Sequence, residues 1–260
     1  MRVRYAKRGR LRFTSHRDFA RAFERALRRA TVPMAYSQGF TPHPKISYAS
    51  AAPTGVASEA EYLEIGLAAP VDLRRLREAL DASLPPGLDV VECVEARPGG
   101  GALAERMEAS TWRVELPGVP PAAAEAAVAA FLDRSEVQVE RLTRDGRRLL
   151  DARGPVVSAV VGAPSGGPAE PCAILEMVVR QVTPAVRPDD VLAALRAVAG
   201  LASTAPPRAT RLAQGRLDDR GRLADPLASD RAAVIPATEA AGAPRPGEQA
   251  VPSVGTTPAG

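Results

Sequence analysis

The stretch SHRDFARAFERALRRA, Ser15 to Ala30, decides how the first part of the chain folds. Ser15 is suited to cap a helix, because its side chain can accept a hydrogen bond from the main chain of Asp18. Apolar residues then recur every three or four positions, as in an amphipathic helix: Phe19, Ala22, Phe23, Ala26, Leu27 and Ala30. The basic residues fall largely on the other side: Arg17, Arg21, Arg25 and Arg28. We therefore predict a helix with one core face and one strongly basic face.

Strand patterns surround this helix. Before it, RVRYA alternates, turns at Gly9 and resumes as LRF, which predicts a strand with a hairpin or a bulge. After it come a short strand (KISYA), a clear strand (EYLEIGL), a helix capped by Asp72 and a closing strand (LDVVECVEA). The order β-α-β-β-α-β is that of the ferredoxin-like split β-α-β fold.

The same order can be read a second time further along the chain. Its segments are TWRVEL, the helix PPAAAEAAVAAFLDRS, EVQVERL, a strand around Val156 to Val161, CAILEMVVRQV, the helix RPDDVLAALRAVAG and ATRLAQGRL. The expected fold class is therefore α+β, with tandem ferredoxin-like units and antiparallel sheets. The expected domains are a basic ferredoxin-like domain at 1–96, a linker at 97–109 and a second ferredoxin-like domain at 110–217. Residues 218–260 are rich in Ala, Pro and Gly without periodicity, which predicts a disordered tail.

Charge is unevenly distributed. Residues 1–50 carry twelve Lys and Arg against two acids, while the whole chain has a net charge of only +4. So dense a basic block predicts an anionic partner, with RNA the first candidate. The alternative is a solvated face in an Arg-rich protein.

The loop YSQGFTPHPKISYA, Tyr36 to Ala49, follows the basic helix. Gly39 permits positive φ, and the prolines at 42 and 44 stiffen the chain. Stacking of bases beside phosphate contacts is how single-stranded RNA is usually held. The candidate binding residues are therefore Tyr36, Gly39, Phe40, His43 and Lys45 together with Arg17, Arg21, Arg25 and Arg28. The alternative is that Phe40 and Tyr48 fill the core beneath the loop, and we expect at least one of them to do so.

His16 and His43 are the candidate catalytic groups, as a general acid or base. The helix between them spans roughly 22 Å, so we expect them at opposite ends, with His16 bonded to nearby backbone.

Cys93 and Cys172 lack metal-ligand spacing, and no metal site is predicted. Glu61 is expected to pair with the basic helix or to orient an arginine. The chain shows neither an apolar leader at its start nor a run of 18 apolar residues, so we expect a cytoplasmic protein without membrane contact.

Three motifs carry a family resemblance: SHRD, YSQGFTPHPKIS and PTGVASEAEYLEI. With their surroundings, Lys7 to Ile65, they resemble the uncharacterised radical-SAM-associated family, a domain of unknown function found beside or fused to cobalamin-binding-type radical SAM proteins. The resemblance implies a radical SAM protein as partner. That partner would carry an iron–sulfur cluster and S-adenosylmethionine, with cobalamin as a further candidate cofactor. This chain lacks the three-cysteine cluster motif of such enzymes, and we expect it to bind none of these cofactors itself.

Three functions remain open from the sequence. The first is a non-catalytic accessory protein that recognises RNA, such as tRNA or rRNA, for a radical SAM enzyme. The second is an RNA-processing enzyme that uses His43 or His16 as a general acid or base. The third is a protein–protein adaptor whose basic helix docks on an acidic face of its partner.

Overall fold

The computed structural model describes residues 1–143, 146–165 and 171–232. The first half contains β1 (Arg2–Lys7), α1 (His16–Arg29), β2 (Ile46–Ala49), β3 (Ala57–Ile65), α2 (Leu73–Ser83) and β4 (Leu88–Val94). The second half contains β5 (Ala109–Pro117), α3 (Pro121–Leu132), β6 (Gln138–Thr143), β7 (Gly146–Asp151), β8 (Val156–Ser165), β9 (Cys172–Arg180), α4 (Pro188–Ala199) and β10 (Arg208–Leu217). β11 (Leu223–Ala224) and α5 (Ala228–Ala232) follow.

Nine of these strands form one sheet, in the order β4-β1-β3-β10-β5-β9-β8, with β2 paired to β3 and β11 paired to β10. Among the described strand pairs, only β3 and β10 run parallel, through Ala57 opposite Thr210 and Ser58 opposite Arg211. The fold is therefore mixed α+β with a mostly antiparallel sheet, as its class was predicted. None of the helices in the described ranges is long and apolar enough to cross a bilayer.

In the first half, α1 and α2 pack on one face of the sheet. Ser15 caps α1 by accepting from the Asp18 N–H, and Asp72 caps α2 by accepting from two N–H groups of its first turn. Both caps confirm the predictions. The apolar stripe of α1 meets alternate residues of the strands in a common core, which includes Val3, Tyr5, Phe19, Phe23, Leu27, Leu63, Leu80 and Leu88.

In the second half, α3 and α4 cover β5, β8 and β9, whose order beside β10 is β10-β5-β9-β8. The segment EVQVERL, read as a strand of this unit, instead forms β6, which pairs with β7 in a separate two-stranded hairpin. This hairpin rests on the helical layer: Arg141 donates from Nε to Asp190 Oδ1 at 2.9 Å, at the start of α4. The alternation of apolar and polar residues predicted that β6 is a strand. It did not predict that β6 pairs with β7, because such alternation does not indicate which strand is the neighbour.

One further expectation in the first half was wrong. LRF does not resume a strand, because Gly9–Phe13 form a 3-10 turn in which Leu11 N–H bonds to Arg8 O at 3.0 Å. The predicted linker, 97–109, is not a free connection. It contains a second 3-10 turn, Leu103–Arg106, and Leu103 is fully buried on the sheet face opposite α1 and α2. The linker therefore forms part of the packed structure, while the division into two domains stays a prediction.

The predicted disordered tail, 218–260, was wrong for residues 218–232, and residues 233–260 lie outside the described residues. α5 is held by Asp230, whose side chain is fully buried and accepts from Arg2 Nη1 and from Arg106 Nη1, each at 2.7 Å. Burial would raise the pKa of Asp230, but the hydrogen bonds from Arg2, from the Arg97 main chain and from Arg106 outweigh it and lower that pKa. The segment is anchored by this buried charge and by Leu227, which is fully buried, and neither contact gives the sequence a periodic pattern.

A buried ion pair joins the two halves where β3 meets β10. Arg211 donates from Nη2 to Glu61 Oε1, and it donates from Nη1 to Gln214 Oε1 at 3.0 Å. Its guanidinium lies 5.4 Å from the centre of the Trp112 ring, in the core of the second half. The other oxygen of Glu61 accepts from Ala52 N at 2.9 Å. The expectation that Glu61 orients an arginine is therefore confirmed.

Glu61→Gln should lower the free energy of unfolding by about 3 to 5 kcal/mol, because it leaves the buried Arg211 charge without its partner. Urea unfolding followed by circular dichroism measures the change. Glu59→Gln is the matched control, two residues away on the same strand. Glu59 pairs with the half-exposed Arg8, and surface pairs are worth about 0 to 1 kcal/mol. Equal effects of the two substitutions would contradict the role given to Glu61.

Candidate functional site

The outer face of α1 is a row of arginines. Arg17, Arg21, Arg25 and Arg28 are all exposed. Arg28 lies 3.8 Å from Glu24 in an i,i+4 pair, whereas the other three have no ion pair within the described part of the chain. From the first to the last, the row extends about 16 Å along the helix axis. The predicted basic face of α1 is thus exposed, and Arg17, Arg21 and Arg25 have no ion pair in the described residues that would compete with an anion.

The loop after α1 is an ordered projection, residues 35–45, which we call the finger. Lys45 N–H bonds to Ala35 O, Ala35 N–H to Gly66 O and Gly66 N–H to Lys45 O, each at 2.9 Å. Gly66 is needed for this close approach, since a Cβ there would lie 3.0 Å from the Lys45 Cβ. The base of the finger is therefore pinned to the segment that follows β3.

Ser37 and His43 close the finger above its base. Ser37 Oγ and His43 Nδ1 share a hydrogen bond of 2.8 Å, and the His43 main-chain N–H donates to Ser37 Oγ at 3.1 Å. A third bond joins Ser37 N–H to His43 O at 2.9 Å. Sequence reasoning missed Ser37. The feature of the sequence that could have indicated Ser37 is its position, six residues before His43 and on the other side of a turn that contains Gly39 and Pro42.

The tip of the finger is aromatic and open to solvent. Phe40 is fully exposed and Tyr36 is 52% exposed. Gly39 has a φ of +139° and nothing within 4 Å of the position of a Cβ. Tyr48, by contrast, is half-buried against the first-half core, which confirms that at least one of Phe40 and Tyr48 fills the core. The candidate residues Tyr36, Gly39, Phe40, His43 and Lys45 thus share one projection, directly after the arginine row.

The two histidines are in different places. His16, in the first turn of α1, packs edge-on against the Tyr48 ring with 4.8 Å between ring centres, while His43 bonds to Ser37. Neither histidine lines the cavities of about 530, 450 and 350 Å³. Within the described ranges, no group of three or more His, Cys, Asp or Glu side chains is placed to hold a metal ion.

Lys7, at the end of β1, is a buried titratable group of the first half. Its Nζ donates to Ala52 O at 3.4 Å and to Pro53 O at 3.3 Å. Burial lowers the pKa of Lys7, and the charge of Glu61 partly opposes this. Because both acceptors are main-chain carbonyls of the turn before β3, Lys7 fastens that turn to β1.

The cavities of about 450 and 350 Å³ lie beside the base of the finger and share Ile65, Gly66 and Ala96. The larger is lined mainly by apolar residues around the start of α2, including Leu67, Pro70, Val71 and Leu73. The smaller reaches Lys45, which belongs to the finger. The finger therefore stands at the rim of a concave surface.

A family model described as "Uncharacterized protein conserved in bacteria (DUF2344)" matches residues 1–188. The match covers more than half of the chain. The chain belongs to this family. A comparison with curated proteins finds no match.

The region that the family model matches contains α1, the finger and Glu61. Arg211 and Asp230 lie beyond it, although both are partners of residues within it. The arginine row and the finger thus lie within the family region. Arg211 on β10 and Asp230 in α5 lie outside it and supply buried charges that pair with residues inside it.

Ser37→Ala should loosen the finger without unfolding the protein. The substitution removes the oxygen that accepts from His43 N–H, and a hydrogen bond of this kind contributes about 0.5 to 1.5 kcal/mol. Amide hydrogen exchange by NMR should therefore be faster at His43, by about 2- to 12-fold. Ser47→Ala, an exposed serine on β2, is the control. Unchanged exchange at His43 would contradict the bond.

Proposed function

We propose that the protein is a non-catalytic accessory protein that binds RNA, such as tRNA or rRNA, through its first half and acts with a radical SAM enzyme. The observation that carries the RNA part is the position of the aromatic finger directly after the arginine row, in a segment without opposing charge. No Asp or Glu occurs between Glu24 and Glu59. The finger and the part of α1 from Arg25 onward therefore contribute no negative side chain of their own, although Asp18 and Glu24 lie among the arginines of the row.

The arrangement supplies the two kinds of contact that RNA-binding proteins combine. Arg17, Arg21, Arg25, Arg28 and Lys45 carry the positive charge that phosphates require, and arginine can bind phosphate through two hydrogen bonds at once. Tyr36, Phe40 and His43 offer planar rings for stacking on bases. Phosphate contacts provide affinity and ring contacts provide selectivity.

The fold in this proposal is a tandem of ferredoxin-like units. The order β4-β1-β3-β2 in the first half and the order β10-β5-β9-β8 in the second support it. In each half, helices connect strands that are separated by another strand, as a split β-α-β unit requires. The β6–β7 hairpin would be an insertion in the second unit, between α3 and β8.

The partner in this proposal rests on the resemblance to radical-SAM-associated proteins. The chain has only two cysteines, Cys93 and Cys172, so the cluster, S-adenosylmethionine and any cobalamin would belong to the partner. Burial raises the pKa of Cys93 to about 12, which disfavours the thiolate that metal binding needs. A cytoplasmic location is part of the same proposal.

Binding to RNA should depend steeply on salt, because phosphate contacts release counterions. Arg21→Ala should weaken binding and reduce the slope of log Kobs against log[salt] by about 0.7. Fluorescence anisotropy with a labelled tRNA across a salt series measures both. Arg196→Ala, an exposed arginine in the last turn of α4, is the matched control and should leave both unchanged. Absent or salt-independent binding by the native protein would overturn the RNA part.

The radical SAM protein should co-purify with this chain from cells that express both. Nuclease treatment before purification distinguishes two causes of co-purification, a bridging RNA and direct binding between the two proteins. If RNA bridges the two proteins, digestion should release the radical SAM protein; if they bind directly, it should remain. Absence of the radical SAM protein from both preparations would contradict the proposed partner.

A further inference from the structure

We propose that Phe40 stacks on an unpaired nucleobase, so that the RNA held by the finger is a loop or another single-stranded segment and not a continuous duplex. This inference rests on the proposed function, and it adds the class of RNA and the residue that selects it.

The first step is that the finger is ordered before it meets a partner. Two main-chain bonds pin its base to Gly66, a third joins Lys45 to Ala35 across the base, and the Ser37–His43 bonds close it higher up. The main chain beyond this closure is therefore held from both sides. Preorganisation of this kind lowers the ordering cost of binding, so a single aromatic ring at the tip can contribute usefully.

The second step concerns Phe40 itself. It is fully exposed, although burial of a Phe side chain is worth about 1.5 to 3 kcal/mol. No described residue covers the Phe40 ring. A partner that covers the Phe40 ring therefore gains the free energy of burying it, and no contact within the protein has to be broken first.

The third step identifies that surface as a nucleobase. A protein pocket for Phe40 would need no particular charge around the finger, whereas RNA is favoured by positive charge beside it. The segment between Glu24 and Glu59 contains no Asp or Glu, and the α1 arginines that precede the finger include three without an ion pair in the described part of the chain. A ring that projects from such a surface has the setting of a stacking platform.

The fourth step excludes a continuous duplex as the preferred ligand. Inside an A-form helix the faces of the bases are covered by their neighbours, and the major groove is too deep and narrow for side chains to read. A projecting ring can stack only where a base is unstacked, in a loop, a bulge or a single strand. The His43 Nε2 atom, on the far side of the ring from Ser37, is then available to the edge of the same or an adjacent base.

The test compares two labelled RNAs: a stem–loop with about eight unpaired nucleotides, within the site sizes of single-strand binders, and a blunt duplex with the sequence of the stem. We expect the native protein to bind the stem–loop more tightly. Phe40→Ala should weaken stem–loop binding by about 5- to 150-fold, the range for loss of one stacked base, and should leave duplex binding and the salt slope unchanged. Phe40→Trp should restore binding to the stem–loop.

Phe13→Ala is the matched control, because Phe13 is also exposed, at 60%, but lies in the 3-10 turn before α1. It should bind the stem–loop as the native protein does. Equal affinity of native protein and Phe40→Ala for the stem–loop, with binding still weakened by Arg21→Ala, would overturn the inference and leave the proposed function intact. Binding to neither RNA would overturn both.

Discussion

The buried pair of Glu61 and Arg211 is the interaction on which the rest of the structure depends. The parallel contact between β3 and β10 contains only two residue pairs, so main-chain bonds alone hold the halves together weakly. Arg211 extends that contact, because it meets Glu61 on one side and the Trp112 ring on the other. Separation of the two halves would leave both buried charges without their partner, which is strongly unfavourable. The pair therefore selects one relative position of the two halves, and with it the surroundings of β3.

β3 connects this buried pair with the exposed finger. Lys7 and Glu61 both bind the turn before this strand, and Gly66, just after it, holds the base of the finger. A strand fixed at both ends gives the finger a rigid support. The arginine row needs no comparable set of bonds at its ends, because the apolar stripe of α1 packs against the core along the whole length of the helix. One surface thus combines a stiff aromatic projection with long, flexible charged side chains.

Sequence periodicity predicted the parts of this molecule that are governed by local rules. The caps at Ser15 and Asp72 and the two faces of α1 follow from spacing alone. The exposure of Phe40 and the half-burial of Tyr48 do not, because both are aromatic residues near prolines and only tertiary packing separates them. The β6–β7 hairpin and α5 were misread for a related reason. Each is held by an ion pair with a distant residue, Asp190 or Arg2, and such pairs leave no periodic trace.

The link between Arg2 and Asp230 also bears on how the protein is made. The two residues are 228 positions apart, so β1 is synthesised long before Asp230, the more deeply buried of the two carboxylates that pair with Arg2. At about 5 to 20 residues per second, the delay is about 10 to 45 seconds. During that time the first half emerges with a strand arginine that lacks its buried partner. A nascent chain stalled before Asp230 would therefore lack the contacts that this residue makes with Arg2 and Arg106.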